Sequence, residues 1–286
     1  MKFKTVLTIY LVVVFTFNFT SGTLFALSCQ NLSLNKLQIN DSKSYCNLDE
    51  DFEGINGFAV IFDHKKGQYC FYNDAMASTR VSPCSTFKII STILGLKYGV
   101  LKDEQSTMHY NGEIYPIEVW NESLSLDKAF ISSCVWYFRQ VIDAVGLEKV
   151  ERELNFLSYG NCDVSEWNGS AINSMLELNG FWLNSSLKIS PVEQINVLCK
   201  IFDSSSKYDS KEIEVLKKIM IVKEAENVKI YGKTGSDGKG HAWFVGFKED
   251  KNGRKYFAIY LSDNDKKDQI SGLKAREIAF KILEKI

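Results

Sequence analysis

A serine and a lysine three residues apart on one helix face can build a nucleophile. Ser85-Thr86-Phe87-Lys88 offers that arrangement. If a helix begins at Ser85, residues 85 and 88 stand one turn apart on a shared face. A hydroxyl attacks poorly until a base removes its proton, and a neutral lysine amine can remove it. The free N–H groups of a helix N-terminus favour the negative charge that develops. The pattern S-x-x-K alone carries little information: it occurs seven times, starting at Ser33, Ser85, Ser125, Ser185, Ser204, Ser236 and Ser271. Only at Ser85 does it open an apolar helical pattern, with Phe87, Ile90, Ile93, Leu94 and Leu96 in register. The other copies read as ordinary solvated pairs.

Lys233-Thr234-Gly235 occurs once and follows the strand pattern at 228–232. Lys233 offers a cation to an anionic substrate or a proton network. Thr234 adds a hydroxyl, and Gly235 leaves room for a substrate to lie against the backbone. A plain strand-to-turn exit would look the same. Ser133-Cys134-Val135, Tyr159-Gly160-Asn161 and Phe181-Trp182-Leu183 complete the set. Each of these three, taken singly, reads as packing.

The elements that must position these residues follow from periodicity. Residues 57–63 and 68–72 predict a hairpin around His64-Lys65-Lys66-Gly67. A helix is predicted from about 85 to 99, and several more over 124–157. Ser190 and Pro191 mark the cap and first turn of another, and 213–222 predicts one more. Strands return at 228–232, 242–247 and 255–261, with Gly253 in a turn, and a helix closes the chain from about 273 to 286. The expected fold is α/β in the α+β sense. N- and C-terminal strands form one antiparallel sheet with flanking helices, and an all-helical lobe is inserted at about 100–225.

Composition narrows the partners. With 34 basic and 35 acidic residues, the net charge of −1 gives no basic face for nucleic acid. Lys2 and Lys4, an apolar run over 6–17, and Ala26-Leu27-Ser28 before Cys29 read as an export signal over 1–28. The run is short for a membrane span. Residues 29–51 read as a flexible tether, and Leu27-Ser28-Cys29 is a partial lipidation motif that would anchor the chain at a membrane through Cys29. The expected location is exported: extracellular, or on the outer face of the cytoplasmic membrane. No C-x-x-C pair or histidine cluster suggests a metal. Seven cysteines (29, 46, 70, 84, 134, 162 and 199) leave any disulfide pairing open.

In the order Ser85, Ser133, Tyr159, Trp182, Lys233, these motifs resemble the penicillin-recognising serine enzymes. Ser-x-Val at 133–135, the Tyr-Gly-Asn triplet, Phe-Trp-Leu leading into Leu187-Lys188-Ile189-Ser190, and Ala242-Trp243-Phe244-Val245-Gly246-Phe247 are similar to class D β-lactamases, from about Phe52 onward. The resemblance implies β-lactam hydrolysis through a serine acyl-enzyme. Ser85 would attack the lactam carbonyl, and the backbone N–H groups of Ser85 and Ser236 would hold the oxyanion. Ser133 and Lys233 would pass a proton to the leaving nitrogen. Thr234 and Arg276 would bind the substrate carboxylate beside Gly235, Val135 and Trp182. It further implies that Lys88 takes up CO2 as a carbamate and serves as base in both steps. Phe87, Val135, Trp182 and Leu183 would keep that lysine dry, and the Trp182 indole would donate to the carbamate. No other cofactor is implied.

The chain also departs from the family. Cys84 stands where alanine is common, and Cys134 fills the middle of Ser-x-Val. The stretch from Asn161 to Trp182 is long and contains a rival, Trp167; Lys274 rivals Arg276. Glu151-Arg152-Glu153-Leu154-Asn155 mimics a class A motif, but lies only 18 residues after Ser133. The same motifs would serve a non-hydrolysing β-lactam sensor domain or a D,D-peptidase acylated at the same serine.

Overall fold

A computed structural model describes residues 43–286 except 172, 174, 264 and 266–268, so the signal, Cys29 and the tether up to residue 42 lie outside the described residues. The sheet strands are β1 (Lys43–Tyr45), β2 (Gly57–Asp63), β3 (Gln68–Tyr72), β6 (Ile221–Ala225), β7 (Val228–Ser236), β8 (His241–Asp250) and β9 (Gly253–Ser262). A separate two-stranded ribbon pairs β4 (Thr107–Met108) with β5 (Leu124–Ser125). The helices are α1 (Asp49–Phe52), α2 (Lys88–Lys97), α3 (Leu126–Ile131), α4 (Val135–Val145), α5 (Leu147–Leu157), α6 (Pro191–Phe202), α7 (Ser210–Met220) and α8 (Gly272–Glu284).

The sheet order is β1-β3-β2-β9-β8-β7-β6, so strands from the two ends of the chain meet at β2 and β9. All pairings are antiparallel except β1 with β3. Side chains alternate between two cores, as the pleat requires. Phe58, Val60, Trp243, Val245, Tyr256, Ala258 and Tyr260 face the helical lobe. Ala59, Ile61, Phe244, Phe257, Ile259 and Leu261 face Ala275, Ile278 and Ile282 of α8. Covering both faces explains why these strands read as continuous apolar runs rather than an alternation.

The boundaries fall differently from the sequence reading in three places. Residues 43–51, read as tether, hold β1 and most of α1, and a Cys46–Cys70 disulfide fastens them to β3. Phe52 is fully buried and stacks on Tyr72. The helical lobe ends at Met220: Ile221 and Val222, expected in a helix, start β6 on the sheet edge. Lys233-Thr234-Gly235 lies within β7, which continues to Ser236. α6 begins as expected. Ser190 Oγ accepts the Glu193 N–H and Glu193 reaches back to the Ser190 N–H at 2.9 Å, a reciprocal cap with Pro191 in the first turn.

Candidate active site

The turn that carries Ser85 is pinned from several sides. Val81 and Ile189 exchange backbone hydrogen bonds, and the Cys84 N–H donates to the Trp182 carbonyl at 3.1 Å. Ser82 Oγ donates to that same carbonyl and accepts the Asn184 N–H, while the Ser82 carbonyl accepts the Trp243 indole N–H at 3.0 Å. Cys84 then turns the chain at φ 48°, a left-handed conformation uncommon for a residue with a side chain. A 3-10 turn over Cys84–Phe87 leads directly into α2. Ser85 and Lys88 therefore sit at a helix start, as the spacing predicted.

Within this start, Lys88 Nζ donates to Ser85 Oγ at 2.8 Å. Ser85 is partly exposed, whereas Lys88 is wholly buried. Burial disfavours the ammonium and lowers the Lys88 pKa to about 8, against smaller opposing influences from the Cys134 and Cys84 thiols. The Phe138 ring lies 5.6 Å from Nζ, so the dry wall includes a residue of α4 that the sequence did not single out. Burial likewise pushes the two thiols up, to about 11 for Cys84 and about 12 for Cys134, which keeps them protonated and unreactive.

Lys233, on β7, reaches Ser133 between α3 and α4. Its ammonium donates to Ser133 Oγ at 2.5 Å and to the Thr234 carbonyl at 3.1 Å, and lies 5.5 Å from the Phe130 ring. Ser133 also has left-handed backbone, φ 56°, in the short break between α3 and α4. Burial, with Lys88 and then Arg276 adding to it, lowers the Lys233 pKa well below its ordinary value. Val135 is half-buried as the first residue of α4.

Gly235 serves a purpose the sequence did not reveal. A β-carbon there would lie 3.0 Å from the Pro83 carbonyl and 3.2 Å from the Thr86 nitrogen. The space it leaves is taken by the turn that carries Ser85, so glycine lets β7 press against that turn. Thr234, on the other pleat, meets the start of α8, where a β-carbon on Gly272 would stand 2.7 Å from Thr234 Cβ. Ser236 ends β7 and is exposed, its Oγ donating to the His241 carbonyl at 3.2 Å.

The rival residues differ in their surroundings. Trp182 is fully buried and stacks on Phe87 at 5.4 Å, while Trp167 stacks on Phe181, one ring further out. The Trp182 indole N–H has no hydrogen-bond partner among the described residues. On α8, Lys274 is held by Glu53 at 2.8 Å and Glu277 at 3.1 Å. Arg276 has no ion-pair partner among the described residues, and its charge bears on Lys233. Glu151 lies on the lobe helix α5; the buried carboxylate of that helix is Glu153, engaged by Lys97, Tyr98 and Tyr208.

The arrangement sets an amine beside a partly exposed hydroxyl, a second hydroxyl–amine pair near it, and a half-buried arginine with no ion-pair partner among the described residues. A scan of known families matches residues 51–284 to the penicillin binding protein transpeptidase domain. The chain is 32% identical over 255 residues to the probable β-lactamase YbxI of Bacillus subtilis (strain 168), covering 88% of each. It is 31% identical over 247 residues to the regulatory protein BlaR1 of Bacillus licheniformis, covering 85% of this chain and 39% of that one. Among solved structures it is similar to a class D β-lactamase from Bacillus subtilis (TM-score 0.75, 33% identity, 84% of this chain and 95% of the other). It is similar also to the C-terminal domain of the Bacillus licheniformis BlaR penicillin-receptor (TM-score 0.74, 30% identity, 85% and 96%). The chain belongs to the class D β-lactamase group of the penicillin-binding transpeptidase domain family.

Proposed function

We propose that this protein hydrolyses β-lactams through an acyl-serine at Ser85. The observation that carries this reading is the 2.8 Å hydrogen bond between Ser85 Oγ and a wholly buried Lys88. In acylation the Ser85 Oγ–carbonyl bond forms and the lactam C–N bond breaks. The Ser85 proton passes to the base at position 88, and Ser133, hydrogen-bonded to Lys233, protonates the leaving nitrogen. In deacylation water supplies the new C–O bond, the ester to Ser85 breaks, and the proton returns to Oγ.

The Lys88 surroundings fit a CO2 adduct. With a pKa of about 8, about a tenth of the lysine is neutral at pH 7, and only the neutral amine has a lone pair to offer. The buried Trp182 N–H, without a partner among the described residues, is a donor in want of an acceptor. When bound, CO2 would turn this amine into a carboxylate base able to activate both Ser85 and the deacylating water. Arg276 and Thr234 would orient the substrate carboxylate across Lys233. Hydrolysis of this kind would give resistance to β-lactam antibiotics.

Multi-turnover hydrolysis of a penicillin with added bicarbonate, with Ser85→Ala as control, tests the reading. Many turnovers that vanish in the control are expected. A single stoichiometric burst with a stable Ser85 adduct would instead favour the sensor or peptidase reading, which the likeness to BlaR1 makes concrete. We also propose export, with residues 1–28 removed and Cys29 free or lipidated. The intact mass of the mature N-terminal peptide decides between these.

A further inference from the structure

None of the groups assigned to the site above lies in the long stretch between Asn161 and Trp182, yet that stretch has a defined build. Asn179 is buried: its amide donates to the Ser170 carbonyl at 2.9 Å and to the Asn173 carbonyl, and its Oδ1 accepts the Gly180 N–H at 3.1 Å. Gly169 makes room for it, since a β-carbon there would stand 1.7 Å from Asn179 Oδ1. Arg139 of α4 ties this loop to the lobe, donating to the Trp167 carbonyl at 2.5 Å and to Asn168 Oδ1 at 3.1 Å.

Between the loop and α4 lies a cavity of about 370 Å³, an ordinary size for a small-molecule site. Trp136, Arg139, Gln140 and Asp143 follow one another at the spacing of a single helix face and line it from α4. Asn168, Leu176 and Glu177 line it from the loop, and Asn111 from a neighbouring one.

The polar groups of this cavity are unequally committed. Arg139 and Asp143 neutralise each other through contacts at 2.9 Å and 2.8 Å. Asn111 is engaged by Tyr115 and by the Glu113 N–H. Gln140 donates to the His109 carbonyl at 3.2 Å, and its Oε1 has no partner among the described residues. The half-buried Glu177 carboxylate has neither a hydrogen bond nor an ion pair among the described residues. Acceptors and one negative charge are therefore left over, with only the Asn168 amide nitrogen as a donor.

We propose that this cavity is a second ligand site, for a small organic molecule that carries a primary ammonium on an apolar body. An ammonium brings three donors, no acceptor and the missing positive charge. Glu177 takes the charge, Gln140 Oε1 offers a further acceptor, and Trp136 and Leu176 cover the apolar body. The proposal is independent of the acyl-serine reading, because Ser85, Lys88, Ser133 and Lys233 are all absent from the lining.

Benzylamine and benzyl alcohol have the same shape and differ in charge at neutral pH. The test is titration of each into the protein, followed by NMR or calorimetry. Benzylamine should bind in the millimolar range, as a ligand of this size allows, and about fivefold or more tighter than the alcohol, the scale of one charge-assisted contact. Glu177→Gln should abolish that preference, and Glu177→Asp should keep part of it. Glu177→Ala serves in place of the glutamine variant if that fails to fold. Equal affinity for the two compounds, no binding of benzylamine, or a preference that survives in Glu177→Gln or Glu177→Ala overturns the proposal. None of these results depends on whether Ser85 is acylated, so the two readings stand or fall separately.

Discussion

Lys88 and Lys233 are two buried amines near enough to act on each other: the charge on Lys88 helps to lower the pKa of Lys233. Each hydroxyl of the site is thus paired with an amine that gives up its proton more easily than a lysine in water. Desolvated like charges are mutually destabilising, so the pair is a standing cost to the fold.

The first expectation concerns stability. Burial lowers Lys88 from 10.5 to about 8. Between those values the unfolded chain binds more protons than the folded one, so stability rises as pH climbs from about 8 to 10.5, and the full penalty applies below 8. In CO2-free buffer, Lys88→Met should be more stable than the unaltered protein at pH 7, by the order of 1–3 kcal/mol, while its Ser85 acylation is lost. The advantage should shrink as pH rises toward 10.5. Urea midpoints at pH 7 and 10 check this; an equal difference at both would refute the desolvation account.

The second concerns Gly235. An added methyl must displace the Pro83 carbonyl or the Thr86 backbone, both within 3.2 Å of it. Gly235→Ala should slow acylation by roughly tenfold or more and destabilise the fold by about 1–3 kcal/mol, a typical overpacking figure. Thr86→Ala removes the side-chain part of the clash but not the backbone part, so it should restore only part of either loss. Full rescue would mean that the strand does not press on the turn.

Much of this site was legible because its residues are local. Ser85 and Lys88 are one helical turn apart, and Lys233-Thr234-Gly235 is a unique triplet beside a strand pattern. Trp182 was separable from Trp167 by its flanking Phe181 and Leu183. What stayed hidden depends on distant partners. Nothing near Ser82 signals that it ties Trp182, Asn184 and Trp243 together across separations of 100, 102 and 161 residues. Lys274 and Arg276 are indistinguishable until Glu53, 221 residues earlier, is seen to occupy Lys274. β1 is three residues long and exists through pairing with β3 and a disulfide. Ile221 and Val222 continue a helical apolar pattern, and only the sheet edge makes them a strand.

The third expectation isolates the Trp182 indole. Trp182→Phe keeps a ring against Phe87 and removes a buried donor that has no partner among the described residues. Deleting an unsatisfied donor should leave stability within about 1 kcal/mol of the original, the lost ring area offsetting the gain. If that N–H holds an adduct on Lys88, hydrolysis at ambient CO2 should fall roughly tenfold, the scale of one hydrogen bond to a charged group. Millimolar bicarbonate should restore most of it, and the ¹³C signal of labelled CO2 on Lys88 should need more bicarbonate to saturate. Loss of activity that bicarbonate cannot touch would assign Trp182 to packing alone.

The last expectation separates two neighbouring cations on α8. Arg276 has no ion-pair partner among the described residues and its charge reaches Lys233, whereas Lys274 is already held by Glu53 and Glu277. Arg276→Ala should raise KM for a penicillin roughly tenfold, as expected for losing one charge-assisted contact to the substrate carboxylate, with a smaller change in kcat. It should also raise the Lys233 pKa, since one of the charges that depress it is gone. Lys274→Ala should leave KM within about twofold and cost at most about 1 kcal/mol of stability, the range of an exposed ion pair. The measurement is the pair of KM values together with thermal midpoints. A KM increase in Lys274→Ala with none in Arg276→Ala would reverse the assignment and place the substrate carboxylate nearer the start of α8.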